Sequence, residues 1–169
     1  MGLKKGGIVT IIILIAIAGA SFLVYLLEDL PQNNETTFVV SNYKNYLDST
    51  KNVHEVLHES IDIEYQNLRN GQISANDYIT IVEITSSQVT AQITEFVISK
   101  PPEEWQSSYI SYMNAMKKFN QYIGETKVLA NLIEKNGNDK DMKEVLEKIN
   151  SLKIEYQEFT KISDETRPN

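Results

Sequence analysis

A chain of 169 residues, 41% hydrophobic and 23% charged, has apolar material for one folded domain, and its net charge of −7 argues against phosphate backbones and anionic lipid as partners. It contains no cysteine, so disulfide support and thiol chemistry are excluded in any redox compartment.

Lys4 and Lys5 precede an uncharged run from Gly6 to Leu27, GGIVTIIILIAIAGASFLVYLL, and Glu28 and Asp29 follow it. At about 1.5 Å per residue such a run makes a helix of roughly 33 Å, the depth of a bilayer's hydrocarbon core. Positive charge before it and negative charge after it predict a cytoplasmic N-terminus, with Tyr25 at the outer interface and everything past about residue 28 outside. Ala18-Gly19-Ala20 offers the competing expectation of a removable signal peptide. The run continues through Phe22, Leu23, Val24, Leu26 and Leu27 beyond that point, which favours a retained anchor over residues 1–29. Setting Lys4 and Lys5 aside leaves 14 basic against 23 acidic residues, a net charge of −9 on the exported part, so nucleic acid is not an expected partner.

Lys4-Lys5-Gly6 also resembles the short prepilin-type signal of archaeal pilins and archaellins. That resemblance covers the first two dozen residues and implies a pilin-like subunit processed after Gly6. The remainder departs from it, since archaellin head domains are β-rich and this chain reads as helical.

Residues 30–39, with Pro31, form the expected linker, and Asn34-Glu35-Thr36 makes Asn34 a candidate glycosylation acceptor. Beyond it four helical stretches are predicted over residues 40–163, with 164–169 as a tail. The first runs from about Val40 to Leu68, with Tyr46, Val53, Leu57, Ile61, Glu64 and Leu68 on one stripe and Gly71 as the stop. Ser74-Ala75-Asn76-Asp77 has capping-box spacing and opens the second, to about Ser99. Pro101 and Pro102 separate it from a third, which carries Trp105, Tyr109, Tyr112, Met116, Phe119 and Ile123 and closes at Asn136-Gly137. Asn138 or Asp139 caps the fourth, whose stripe includes Met142, Leu146, Ile149, Leu152, Tyr156 and Phe159. No useful length alternates with period two, so no strands are expected. The predicted fold class is all-α: a transmembrane helix followed by an antiparallel up-down-up-down four-helix bundle, whose C-terminus returns toward the membrane. Unlike the two-span chemoreceptor sensors, whose outer domains are also four-helix bundles, it is expected to have no second apolar span and no cytoplasmic output domain.

HEVLH, residues 54–58, holds both histidines of the chain. It matches the zincin signature HExxH, in which two histidines one helical turn apart hold zinc and the glutamate, here Glu55, acts as general base. The metzincin continuation is broken: Ile61 stands where glycine belongs and Glu64 where the third histidine belongs. Two ligands are too few for a catalytic zinc, which needs a third and an open water position. Glu55-Val56-Leu57-His58 is also half of the E-x-x-H pair of ferritin-like di-iron bundles, and no histidine remains to complete it within one chain.

Reflecting the first hairpin about residue 72 and the second about Pro101 sets Gln88, Gln92, Tyr109 and Tyr112 level with His54 and His58. The expectation is a polar layer in an apolar seam, with imidazole, amide and phenol satisfying one another. His54 and His58 stay candidate metal ligands, and a zinc-dependent peptidase remains the enzymatic alternative. ITSSQVTAQIT, residues 84–94, is poor in bulky side chains and reads as a loosely packed stretch, a cavity wall or a partner groove. No catalytic residues and no cofactor are expected. The expected role is non-catalytic binding or scaffolding at the cell membrane, toward another envelope protein or a second copy.

Overall fold

Helix starts and stops follow from a few polar side chains and three left-handed residues. The computed structural model describes residues 40–168. The expected anchor, the linker, the Gly6 processing point and Asn34 lie outside them. The described residues form α1 (Tyr43–Arg69), α2 (Ala75–Ile98), α3 (Glu103–Glu134) and α4 (Asp139–Glu165), with no strand among them. None of these helices is long and apolar enough to cross a membrane.

Three helices begin at a side-chain cap. Asn42 accepts from the Asn45 N–H at 2.9 Å, Ser74 from Asp77 at 3.1 Å and Asn138 from Asp141 at 2.9 Å. Each satisfies a donor that has no partner in the first turn. The Asn42 cap is why α1 starts at Tyr43 and not at Val40. α3 follows Pro102, which offers no capping side chain, and Glu103 and Glu104 set negative charge at the positive end of the helix dipole.

α1 ends through Gly71 at φ +67°, and Gln72 N–H bonds to Asn67 C=O at 2.8 Å. α3 ends the same way with Asn136 at φ +51° and Gly137 N–H on Leu132 C=O at 2.8 Å. Space is tight at the next residue: a Cβ on Gly137 would come 2.9 Å from Leu132 Cδ2, the movable end of that side chain, and 3.2 Å from the Leu132 carbonyl oxygen. Pro101 disfavours a helical residue before it, and Lys100 leaves α2 at φ +43°. The predicted tail is shorter than expected, because α4 continues to Glu165 and the Arg167 guanidinium reaches Asp48 at 2.6 Å and Asp164 at 3.2 Å.

The helices pack as a bundle in which chain neighbours run in opposite directions. Tyr46 stacks on Phe96 while Tyr65 meets Tyr78. Glu83 pairs with Lys127 at 2.7 Å while Asn76 bonds Glu134 at 2.8 Å. Lys118 pairs with Glu155 and Glu125 with Lys148, both at 2.6 Å. Between α1 and α4, Lys51 pairs with Asp164 at 2.6 Å and Asp62 with Lys153 at 2.5 Å.

The core is filled from α1 by Leu47, Leu57 and Ile61, from α2 by Tyr78, Val82 and Val89, and from α3 by Tyr112, Met116, Phe119 and Ile123. Glu64 is buried on the α1 stripe, with Asn67 donating to its Oε2 at 3.2 Å. The small polar side chains of α2 find hydrogen-bond partners in two ways. Thr85, Ser87, Thr90 and Thr94 each turn a hydroxyl back to the carbonyl four residues earlier, and Asn120 of α3 receives the Ser86 hydroxyl at 2.7 Å and donates to Thr90 at 3.1 Å.

Candidate functional site at the cleft between α1 and α4

Helical spacing puts His54 and His58 on one side of α1, but their surroundings differ. His54 is fully buried. Its ring lies edge-on to Phe119 at 4.7 Å, Tyr156 at 5.4 Å and Tyr112 at 5.8 Å between centroids. His54 Nδ1 is 2.8 Å from the Tyr112 hydroxyl, and Nε2 is buried with no hydrogen-bond partner among the described residues. If the phenol donates, only the Nε2–H is unmatched; if the imidazole donates, both the phenol proton and the Nε2 lone pair are. The first assignment leaves fewer orphans, so Tyr112 O–H donates and Nε2 carries the ring proton. Burial, reinforced by the neighbouring His58, pushes the His54 pKa down to about 3, and the ring is neutral at pH 7.

His58 lies at the edge of the core, its ring tilted against Tyr156 at 5.1 Å and Phe119 at 5.3 Å. Its Nε2 is 3.9 Å from Asp62 Oδ2, too far for a hydrogen bond, and has no such partner among the described residues. Burial lowers its pKa, with Asp62 acting in the opposite direction. Asp62 receives the Tyr122 hydroxyl at 2.7 Å and the Lys153 ammonium at 2.5 Å. Burial alone would raise the Asp62 carboxyl, but those two donors hold it below the usual carboxylate range.

These side chains open onto a cleft of about 700 Å³. α1 lines it with Lys51, Glu55, His58, Glu59, Asp62 and Ile63, α3 with Tyr112, and α4 with Tyr156 and Thr160. Lys51 lies over the Tyr112 ring, 5.3 Å from its centroid. Glu55 and Glu59 are exposed on the same wall.

Of the six side chains expected in a polar layer, His54 and Tyr112 meet. The Tyr109 hydroxyl donates instead to the Tyr43 carbonyl at 2.7 Å. Both amide atoms of Gln88 and Oε1 of Gln92 are buried without a hydrogen-bond partner among the described residues. Reflection about a hairpin turn fixes height along the bundle and leaves the angle around each helix undetermined. The ring of His54 packs on side chains of α3 and α4, and the amides of α2 make no hydrogen bond to it. Asp62, Lys153 and Tyr156 were not expected at the site, although Asp62 stands four residues after His58, within reach on a helix face. Tyr156 stands on the predicted α4 stripe, but nothing local to it or to Lys153 points to the histidines, because only packing of α4 on α1 brings them there.

Among the described residues no three His, Cys, Asp or Glu side chains are grouped closely enough to hold a metal ion. No family model matches the chain, and neither the curated proteins nor the solved structures yield a match.

Proposed function

We propose that the chain is a single-pass membrane protein, N-terminus inside, that presents an up-down-up-down four-helix bundle outside the cell membrane in a non-catalytic binding or scaffolding role. The membrane assignment is supported by the uncharged run Gly6–Leu27 with lysines before it and acids after it. The non-catalytic assignment rests on one observation: His54 is fully buried with Nδ1 engaged by Tyr112, so the HEVLH pair does not present two free imidazoles to one ion.

Carbonate extraction of membranes from cells expressing the full chain tests the anchor, and protease added outside intact cells tests the orientation. Retention in the membrane and loss of the bundle to external protease are the expected results. A full-length chain in the soluble fraction overturns the assignment. The pilin-like reading, carried by Lys4-Lys5-Gly6, predicts instead a mature chain that begins at Gly7, which the intact mass decides.

A further inference from the structure

The α1–α4 seam holds two ammonium groups in the same kind of setting. Lys51 Nζ lies over Tyr112 and pairs with Asp164 at 2.6 Å. Lys153 Nζ lies 6.0 Å from the Tyr122 centroid and pairs with Asp62 at 2.5 Å. A tyrosine face on one side and a carboxylate on the other is a setting that attracts cations through the ring quadrupole and Coulomb force together.

The cleft between these two pairs repeats the pattern, and the ammonium on its lining, Lys51, is already taken up by Asp164. Lys51 and Asp62 are each neutralised by their partners, which leaves Glu55 and Glu59 as carboxylates outside any ion pair among the described residues. The Tyr156 ring forms part of the wall, and His58 contributes a buried Nε2 that lacks a hydrogen-bond partner. The uncompensated charge and the aromatic wall favour one ligand chemistry, and His58 in the same wall lies close enough to report its arrival.

We propose that this cleft binds a primary ammonium group on a flexible alkyl stem, carried by a lysine of a partner polypeptide or by a free polyamine, between Glu55, Glu59, His58 and Tyr156. The inference gives the proposed binding role its ligand chemistry and rests on that role. It is independent of whether the chain is anchored in a membrane, which extraction decides separately.

The two histidines are the only ones in the chain, so their ring carbon and proton resonances give a two-signal reporter, assigned with His58→Gln. The full-length chain in neutral detergent micelles at pH 7.5 is titrated with 1,5-diaminopentane and, separately, with a capped Gly-Lys-Gly peptide. The expected result is a saturable shift of the His58 signal, half complete on the order of 1 to 10 mM, with the His54 signal unmoved. Tighter response to the peptide identifies a partner's lysine as the source, and tighter response to the diamine identifies a polyamine.

The double change Glu55→Gln and Glu59→Gln weakens binding at least about fivefold. Glu144→Gln with Glu147→Gln, exposed on α4, removes equal charge and leaves the half-point within about twofold. Three outcomes overturn the proposal. They are no shift by about 50 mM amine, equal weakening by both double variants, and an equal shift with uncharged 1,5-pentanediol.

Discussion

His54 Nδ1 lies 2.8 Å from the hydroxyl of Tyr112, a residue 58 positions further along the chain, and both rings are buried. This bond ties α1 to α3 and determines what the HEVLH segment is able to do. Tyr112→Phe leaves a buried imidazole nitrogen unmatched and is expected to cost about 1 to 3 kcal/mol. His54→Leu exchanges an orphan nitrogen for apolar packing and is expected to shift stability by about 1 to 2 kcal/mol in either direction, with the bundle still helical. In the double variant both polar partners are gone, and urea denaturation should show a loss smaller than the sum of the two single changes.

Acid should destabilise the fold before the carboxylates titrate. The folded-state pKa of His54 is about 3, against about 6.5 for an unperturbed histidine. Between those values the unfolded chain binds more protons than the folded one, so stability rises with pH and falls as pH drops below about 6.5. At pH 4.5 the expected loss relative to pH 7 is about 2 to 3 kcal/mol. His58, also lowered, adds to it in the same direction. Asp48 and Asp62, held low by their basic partners, add theirs only in the lower carboxylate range, whereas Glu95, raised by burial, opposes them there. Urea titrations at pH 7.0, 5.5 and 4.5 measure the slope, and His54→Leu should flatten it.

Phe119 is the common wall of both histidines and Tyr156, fully buried and 4.7 Å from the His54 ring. Phe119→Ala is expected to cost about 3 to 5 kcal/mol, and Phe119→Leu distinctly less, because the cavity left behind is smaller. Thermal unfolding followed by circular dichroism gives both values.

Three glycines should respond differently to alanine. Gly124, in the exposed face of α3 with open space around its Cβ position, should gain about 0.5 to 1 kcal/mol. Gly71 has the same open space but φ +67°, so alanine should cost about 1 kcal/mol in strain. Gly137→Ala places a Cβ 2.9 Å from Leu132 Cδ2 and 3.2 Å from the Leu132 carbonyl oxygen, so the Leu132 side chain has to move and the backbone at the end of α3 has to give by a few tenths of an ångström. Its expected cost is about 1 to 3 kcal/mol. An unfolding series that ranks the three otherwise would contradict the local geometry.

Helix positions were legible because their signals are local. The Ser74 and Asn138 caps, the prolines at 101 and 102 and the Asn136-Gly137 stop each act within about five residues, and the structure uses all of them. The start of α1 was misplaced because Asn42 was not recognised as a cap. Glu64 fell on the predicted apolar stripe and is buried there, with the side chain of Asn67 one turn away as its donor. For the site, the sequence located the helix and the height of the two histidines. It set Tyr112 beside His54 and left out Asp62, Lys153 and Tyr156, since a hairpin reflection carries no information on rotation about a helix axis.

The sequence by itself determined four helices, their order, their breaks and the presence of a histidine pair one turn apart, because period, capping and backbone restriction are short-range properties of the chain. Tertiary structure alone decided that His54 faces phenol and phenyl rings and that the amides of α2 make no hydrogen bond to it. It likewise decided that Asp62 finds Lys153, 91 residues away, and that a cleft opens beside Glu55 and Glu59. The physical reason is that helix rotation and seam width are set by the sum of many packing contacts between distant segments, and no single stretch of residues encodes that sum.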